Sequence, residues 1–135
     1  MAAATWRLLF LLGMCLCMLL VPGRPCVLTK KYEVSVMNDL GGRNQLYVQC
    51  ASRNDHFSNT TVHNAGMFSW TFCDNIIHST LYWCTLTWNG ITTSFESFND
   101  KTRDWCSRCV WVARPDGIYF SYEFPPVDAK WTYSW

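Results

Sequence analysis

The sequence predicts a small all-β domain, an antiparallel β-sandwich of seven to eight strands stapled by disulfides. Three observations carry this. Segments alternating apolar and polar residues recur with turn residues between them, and no segment carries a helical stripe. Six cysteines remain once an N-terminal leader is set aside.

The leader is residues 1–23. It has one positive charge, Arg7, and an apolar run from Leu8 to Val21 broken only by Gly13. That run is about 14 residues, short of the ~20 a membrane span needs. Val21 and Gly23 suit the −3 and −1 positions of a signal-peptidase site. We read a cleaved secretory signal rather than an anchor. No second hydrophobic segment follows, so the mature chain, residues 24–135, is expected to be a single extracellular domain without a membrane span.

The elements follow in order. "KYEVSVMND" sets Tyr32, Val34 and Val36 against Glu33 and Ser35, and Gly41-Gly42 makes a turn. "QLYVQC" places Leu46, Val48 and Cys50 on one face. "ASRNDHFSNTTVHNAG" has no apolar period and reads as a long surface loop. Alternation resumes with Phe68, Trp70 and Phe72 in "MFSWTF". "TLYWCTLTW" and "ITTSFESF" flank Asn89-Gly90, the dipeptide favoured in tight hairpins because both central residues need positive φ. "NDKTRDW" is polar and predicts at most one helical turn. "CVWVAR" is the next strand, Pro115-Asp116-Gly117 a turn, and "IYFSYEF" a strand alternating Ile118, Phe120, Tyr122 and Phe124. Pro125-Pro126 stops it before a short terminal segment, "KWTYSW".

Ordered along the chain, "VSVMNDL", "LYVQCASRND", "GMFSWTF", "TLYWC", Trp88, "FESF" and "CSRCVWVARPDGIYF" resemble the plant self-incompatibility protein S1 family, the S-protein homologues. The resemblance spans about Tyr32 to Trp135, and rests chiefly on Cys50, Cys84, Cys106 and Cys109 with Trp70, Trp88, Trp111 and Asp116-Gly117. It implies a secreted β-sandwich and, for the family's characterised members, a ligand shed by female floral tissue and sensed by incompatible pollen. The chain also departs from the family pattern. Gln49 stands where a histidine is common, "NDHFSNTTVHNAG" replaces an Asp-Leu-Gly run, and Cys26 and Cys73 are additional to the framework.

Cys106 and Cys109 form a C-x-x-C pair, which suits a redox centre, half of a zinc site or two disulfide anchors. A redox centre wants a βαβ context, and a zinc site wants a second ligand pair; neither pattern is present. Secretion favours structural disulfides. Six cysteines allow 15 connectivities. The inward face of Cys50 suggests a bond across the sandwich to Cys109 or Cys106, with Cys84 taking the other. Cys26 and Cys73 are left for a third bond.

Asn59-Thr60-Thr61 is an N-glycosylation sequon in the polar loop. His56 and His63 share that loop and, with His78, read as solvated residues rather than an acid–base pair. No phosphate loop, nucleophile elbow or catalytic carboxylate motif appears, so no enzyme, metal or cofactor is expected. Ten Lys/Arg balance ten Asp/Glu in the mature chain, which argues against nucleic-acid binding. Trp70, Trp83, Trp88 and Trp111 are expected in the core. Trp105, Trp131 and Trp135 are candidates for stacking on a sugar or a partner.

The expected function is that of a secreted, monomeric, non-enzymatic signalling ligand for a cell-surface receptor. Its loops, chiefly Ala51 to Ala65 and Asn99 to Arg103, would carry specificity. The alternative is a secreted carbohydrate-binding or defence module.

Overall fold

A computed structural model describes Thr5, Arg7, Leu9, residues 26–103 and residues 106–135. The expected leader otherwise lies outside these residues, as do Asp104 and Trp105. Among the described residues no helix is long and apolar enough to cross a membrane.

From residue 26 onward the described residues form nine strands and one helical turn: β1 (Lys31–Asn38), β2 (Leu46–Ser52), β3 (Thr60–Val62), β4 (Met67–Cys73), β5 (Leu81–Trp88), β6 (Ile91–Asn99), α1 (Asp100–Arg103), β7 (Arg108–Arg114), β8 (Gly117–Ser121) and β9 (Lys130–Tyr133). They assemble into a five-stranded sheet, β4-β1-β7-β8-β9, and a four-stranded sheet, β3-β2-β5-β6. The architecture is the all-β, sandwich-like fold expected. All adjacent pairs are antiparallel except β1 and β7, which run parallel with Glu33 opposite Arg108 and Val36 opposite Trp111. That pair departs from the antiparallel expectation. No short turn can join parallel neighbours, and here the connection is most of the domain.

The period-2 pattern does the sorting. Tyr32, Val34 and Val36 from β1, Leu46, Val48 and Cys50 from β2, and Tyr82, Cys84 and Leu86 from β5 all turn into one buried cluster. Trp111 sits fully buried at its centre. Its ring lies 4.7 Å from both Phe95 and Phe120, and its indole N–H donates to the Ser97 carbonyl at 2.9 Å. A donor this deep needs such a partner, because an unpaired one costs about 1–3 kcal/mol. Asn38, fully buried at the end of β1, is likewise satisfied. Its amide donates to the carbonyls of Asn44 and Val62 and accepts from the Leu40 N–H, which pins the β1–β2 turn.

Turn chemistry is as expected at Asn89-Gly90, where φ is 51° and 75°. Gly117 opens β8 at φ 152°, and a Cβ there would meet the Tyr133 carbonyl at 2.7 Å and the Trp131 indole.

Four expectations need correction. The loop from Ala51 to Ala65 is not featureless. β2 runs on to Ser52, and the β-branched "TTV" adds β3 as an edge strand. β8 ends at Ser121, whose hydroxyl donates to the Glu123 carbonyl and accepts its N–H. That local turn competes with the ladder and leaves Tyr122 and Phe124 on the surface. Trp83, expected in the core, is 41% exposed, because odd-numbered residues of β5 face away from the sandwich interior. The terminal segment, contradicting no expectation, adds β9 against β8.

The fourth correction concerns disulfides. Cys50 does not bond to Cys106 or Cys109, and neither does Cys84. Cys50 and Cys84 lie opposite each other on β2 and β5 and bond across 4.1 Å between Cα atoms. That is the close spacing of a non-hydrogen-bonded antiparallel pair. Cys106 bonds to Cys109 within its own C-x-x-C loop, and Cys26 bonds to Cys73 at the end of β4. An inward-facing cysteine has a nearer neighbour beside it in its own sheet than across the core, where facing sheets are about 10 Å apart.

Candidate functional site

Three connections meet at one end of the sandwich: β2–β3, β4–β5 and the β6–α1 corner. Phe57 anchors the first by packing against Trp70 at 5.3 Å and Tyr82 at 6.3 Å between ring centroids. The Tyr82 hydroxyl donates to Asp55 at 2.5 Å, and the Ser52 hydroxyl accepts the Asp55 N–H. Burial pushes the Tyr82 phenol far above its ordinary value, and the Asp55 carboxylate adds to the shift. Tyr82 is therefore a permanent donor that holds the loop.

The β4–β5 connection is held by a cluster of two buried carboxylates and one exposed histidine. Asp74 and Asp100 are 4% and 6% exposed, and the His78 Nδ1 lies 2.7 Å from the first carboxylate and 3.3 Å from the second. The other Asp74 oxygen accepts the Thr80 hydroxyl at 2.6 Å and the Asn75 N–H at 2.8 Å. Asn75 and Ser79 close the loop with two reciprocal hydrogen bonds. His78 adopts φ 51°, the left-handed conformation this tight loop requires. Burial opposes ionisation of Asp74, but the hydrogen bonds from Thr80, His78 and the Asn75 backbone outweigh it and hold its pKa below the usual value. The Asp74 hydrogen bond raises His78 above its ordinary value, with Asp100 contributing. The three side chains place ligand-capable atoms within 4.8 Å of one another. Their mutual hydrogen bonds make the cluster an ion-paired latch.

Above this latch lies a cleft of about 760 Å³ whose walls include Asp55, Phe72, Ile77, Thr80, Tyr82 and Trp83. At its rim Ile76 and Ile77 are 74% and 79% exposed, an aliphatic tip on a rigid loop. Val27 and Leu28, beside the Cys26–Cys73 bond, are also exposed. Apolar side chains held out by an ordered loop suit protein contact.

The other expected residues are dispersed. Asn59 is exposed just before β3, so its amide is accessible. His56 and His63 are exposed, and His56 forms an isolated bridge with Ala51. Trp131 is 55% exposed, with its indole N–H donating to the Asp116 carbonyl at 3.3 Å. Trp105 lies outside the described residues. The latch escaped sequence reading because Asp74 and Asp100 flank His78 at unequal distances along the chain. Only the meeting of β4–β5 with α1 unites them.

A disulfide-stapled sandwich with its connections gathered at one end defines a class: a small all-β scaffold protein. Residues 33–135 match the model of the family described as plant self-incompatibility protein S1, and the chain belongs to that family. It is 28% identical over 112 residues to S-protein homolog 1 of Arabidopsis thaliana, covering 78% of this chain and 74% of that protein. It is 31% identical over 94 residues to S-protein homolog 74 of Arabidopsis thaliana, covering 66% and 62%. It is 29% identical over 91 residues to self-incompatibility protein S1 of Papaver rhoeas, covering 64% and 66%. A solved structure of SPH (self-incompatibility protein homologue) proteins shares the fold, with a TM-score of 0.63 and 23% identity over 79% of this chain and 96% of that one. Those proteins are described as a widespread family of small, highly stable, secreted proteins from plants.

Proposed function

We propose that the protein is a monomeric, non-enzymatic signalling ligand of the self-incompatibility S1 type, read by a cell-surface receptor and acting in recognition such as that between pollen and pistil. The observation that carries this reading is the loop end. Ile76 and Ile77 project from a connection locked by the Asp74–His78–Asp100 latch, beside a cleft whose wall is the β2–β3 loop. Pre-ordering such a surface lowers the entropy lost on docking. The titratable cluster here serves the loop, since both carboxylates lie beneath the surface and already hold hydrogen bonds. The departures of the β2–β3 loop from the family pattern suit a partner of its own. Asn59 is proposed to carry a glycan, which a mass loss on N-glycosidase treatment of the secreted protein would reveal.

The test is binding of labelled protein to intact pollen and floral cells. Saturable binding that trypsin abolishes, and that Ile76→Asp with Ile77→Asp removes, is expected. The charged pair replaces solvent-facing residues, so circular dichroism should stay unchanged. Binding that is non-saturable, or indifferent to both this pair and a β2–β3 loop exchange, would overturn the proposal.

A further inference from the structure

The outer face of the five-stranded sheet holds a second concavity, distinct from the loop-end cleft. Strand register builds it. Thr71 on β4 lies opposite Glu33 on β1, and Glu33 lies opposite Arg108 on β7, so the three form one row across the sheet. All three face away from the core, because their neighbours Val34 and Cys109 face into it. The β7–β8 hairpin brings the chain back beside Arg108, where it leaves the ladder at Ser121 and sets Tyr122 and Phe124 along the rim. The groove between them measures about 470 Å³, within the range of small-ligand sites.

We propose that this groove binds a neutral pyranose saccharide. Tyr122 and Phe124 are 51% and 46% exposed, so each offers ring surface to the apolar C–H face of a sugar. In the floor the Arg108 Nε donates to Glu33 at 3.1 Å, with both side chains partly exposed. An adjacent cation and carboxylate match a vicinal diol, in which one hydroxyl donates to the glutamate while its neighbour accepts from the guanidinium. The hydroxyls of Thr71 and Ser107 extend that polar floor. Lys31 and Arg108 are balanced by Glu33 and Glu123 around the groove, so no net positive charge favours an acidic sugar over a neutral one. The aromatic residues differ from the tryptophans that sequence alone nominated.

The experiment titrates the mature, disulfide-bonded protein with cellotetraose, xylotetraose and tetragalacturonate, followed by amide chemical shifts. At least one neutral tetrasaccharide is expected to give saturable shifts at Glu33, Thr71, Arg108, Tyr122 and Phe124. Tyr122→Ala and Phe124→Ala should each weaken it about tenfold. Trp131→Ala, outside the groove, should leave the affinity unchanged. Both aromatic residues are surface positions, and unchanged amide dispersion would confirm that the variants fold. The proposal is overturned if neither neutral sugar binds up to about 10 mM, or if only tetragalacturonate binds. It is equally overturned if both aromatic variants bind like the wild type. Loop-end substitutions have no part in this assay, so its outcome is independent of receptor recognition.

Discussion

Replacing Cys50 and Cys84 together by alanine should destabilise the domain far more than the same change at Cys106 and Cys109. The chemistry of the two replacements is matched, since all four sulfurs are essentially buried at 0–1% exposure. What differs is the loop each bond closes, 34 residues of sequence separation against 3. Constraining the unfolded chain by those lengths is worth about 3.8 and about 1.6 kcal/mol respectively in the chain-entropy model. At about 4 °C per kcal/mol for a domain of this size, thermal midpoints should fall by about 15 °C and about 6 °C. Differential scanning calorimetry of the two double variants, under oxidising conditions and at one pH, measures both. Equal losses, or a larger loss at Cys106–Cys109, would refute the reasoning. Such a result would mean that the C-x-x-C bond shapes the entry to β7 in the native state and does more than restrict the unfolded one.

Two further outcomes follow from the same structure. Gly117→Ala should cost about 2 kcal/mol or more, because φ 152° disfavours a side chain and the new Cβ meets the Tyr133 carbonyl at 2.7 Å. A urea midpoint within about 0.5 kcal/mol of wild type would contradict that packing, and a red shift of Trp131 emission would localise the damage to β9. The β4–β5 loop should loosen as pH rises. His78 has a folded pKa above its unfolded 6.5, so its contribution is fully present below 6.5 and fades as pH climbs through the folded value. Asp74 behaves in the opposite sense, with a contribution present above 3.8 and lost as acid drives pH through its lowered folded value. Hydrogen exchange at Asn75 and Ser79, corrected for intrinsic rates, should accelerate between about pH 6 and 8 in wild type. His78→Gln should flatten that dependence, and a slope that survives in the variant would remove the latch from the explanation.

Local chemistry was the readable part of the fold. The alternation of Tyr32, Val34 and Val36 and the turn at Asn89-Gly90 each need only a few consecutive residues, and the structure carries both as written. Pairing is a different kind of information. Cys50 shows in sequence which face it occupies but not which strand lies beside it, so its bond to Cys84 had to come from the register of β2 with β5. "IYFSYEF" looks like seven residues of strand, yet the Ser121 hydroxyl competes for the backbone and ends the ladder before Tyr122. The same break creates the aromatic rim of the outer groove. Two parts of the loop-end cluster, the residues after Ala51 and those near Asn99, stand out in the sequence as connections between strands. The 74–80 loop between them went unseen because its order depends on Asp100, 22 positions past His78.

The parallel seam between β1 and β7 has a consequence for biosynthesis. Glu33 and Arg108, partners across it, are 75 positions apart. A strand near the front of the sandwich domain therefore waits for one near its end before the five-stranded sheet can close. During synthesis, the Cys50–Cys84 half of the molecule emerges first, while β1 still lacks its second neighbour. The sheet can therefore be completed only after translation has passed Arg108, and truncations short of β7 should leave β1 without one of its two neighbours.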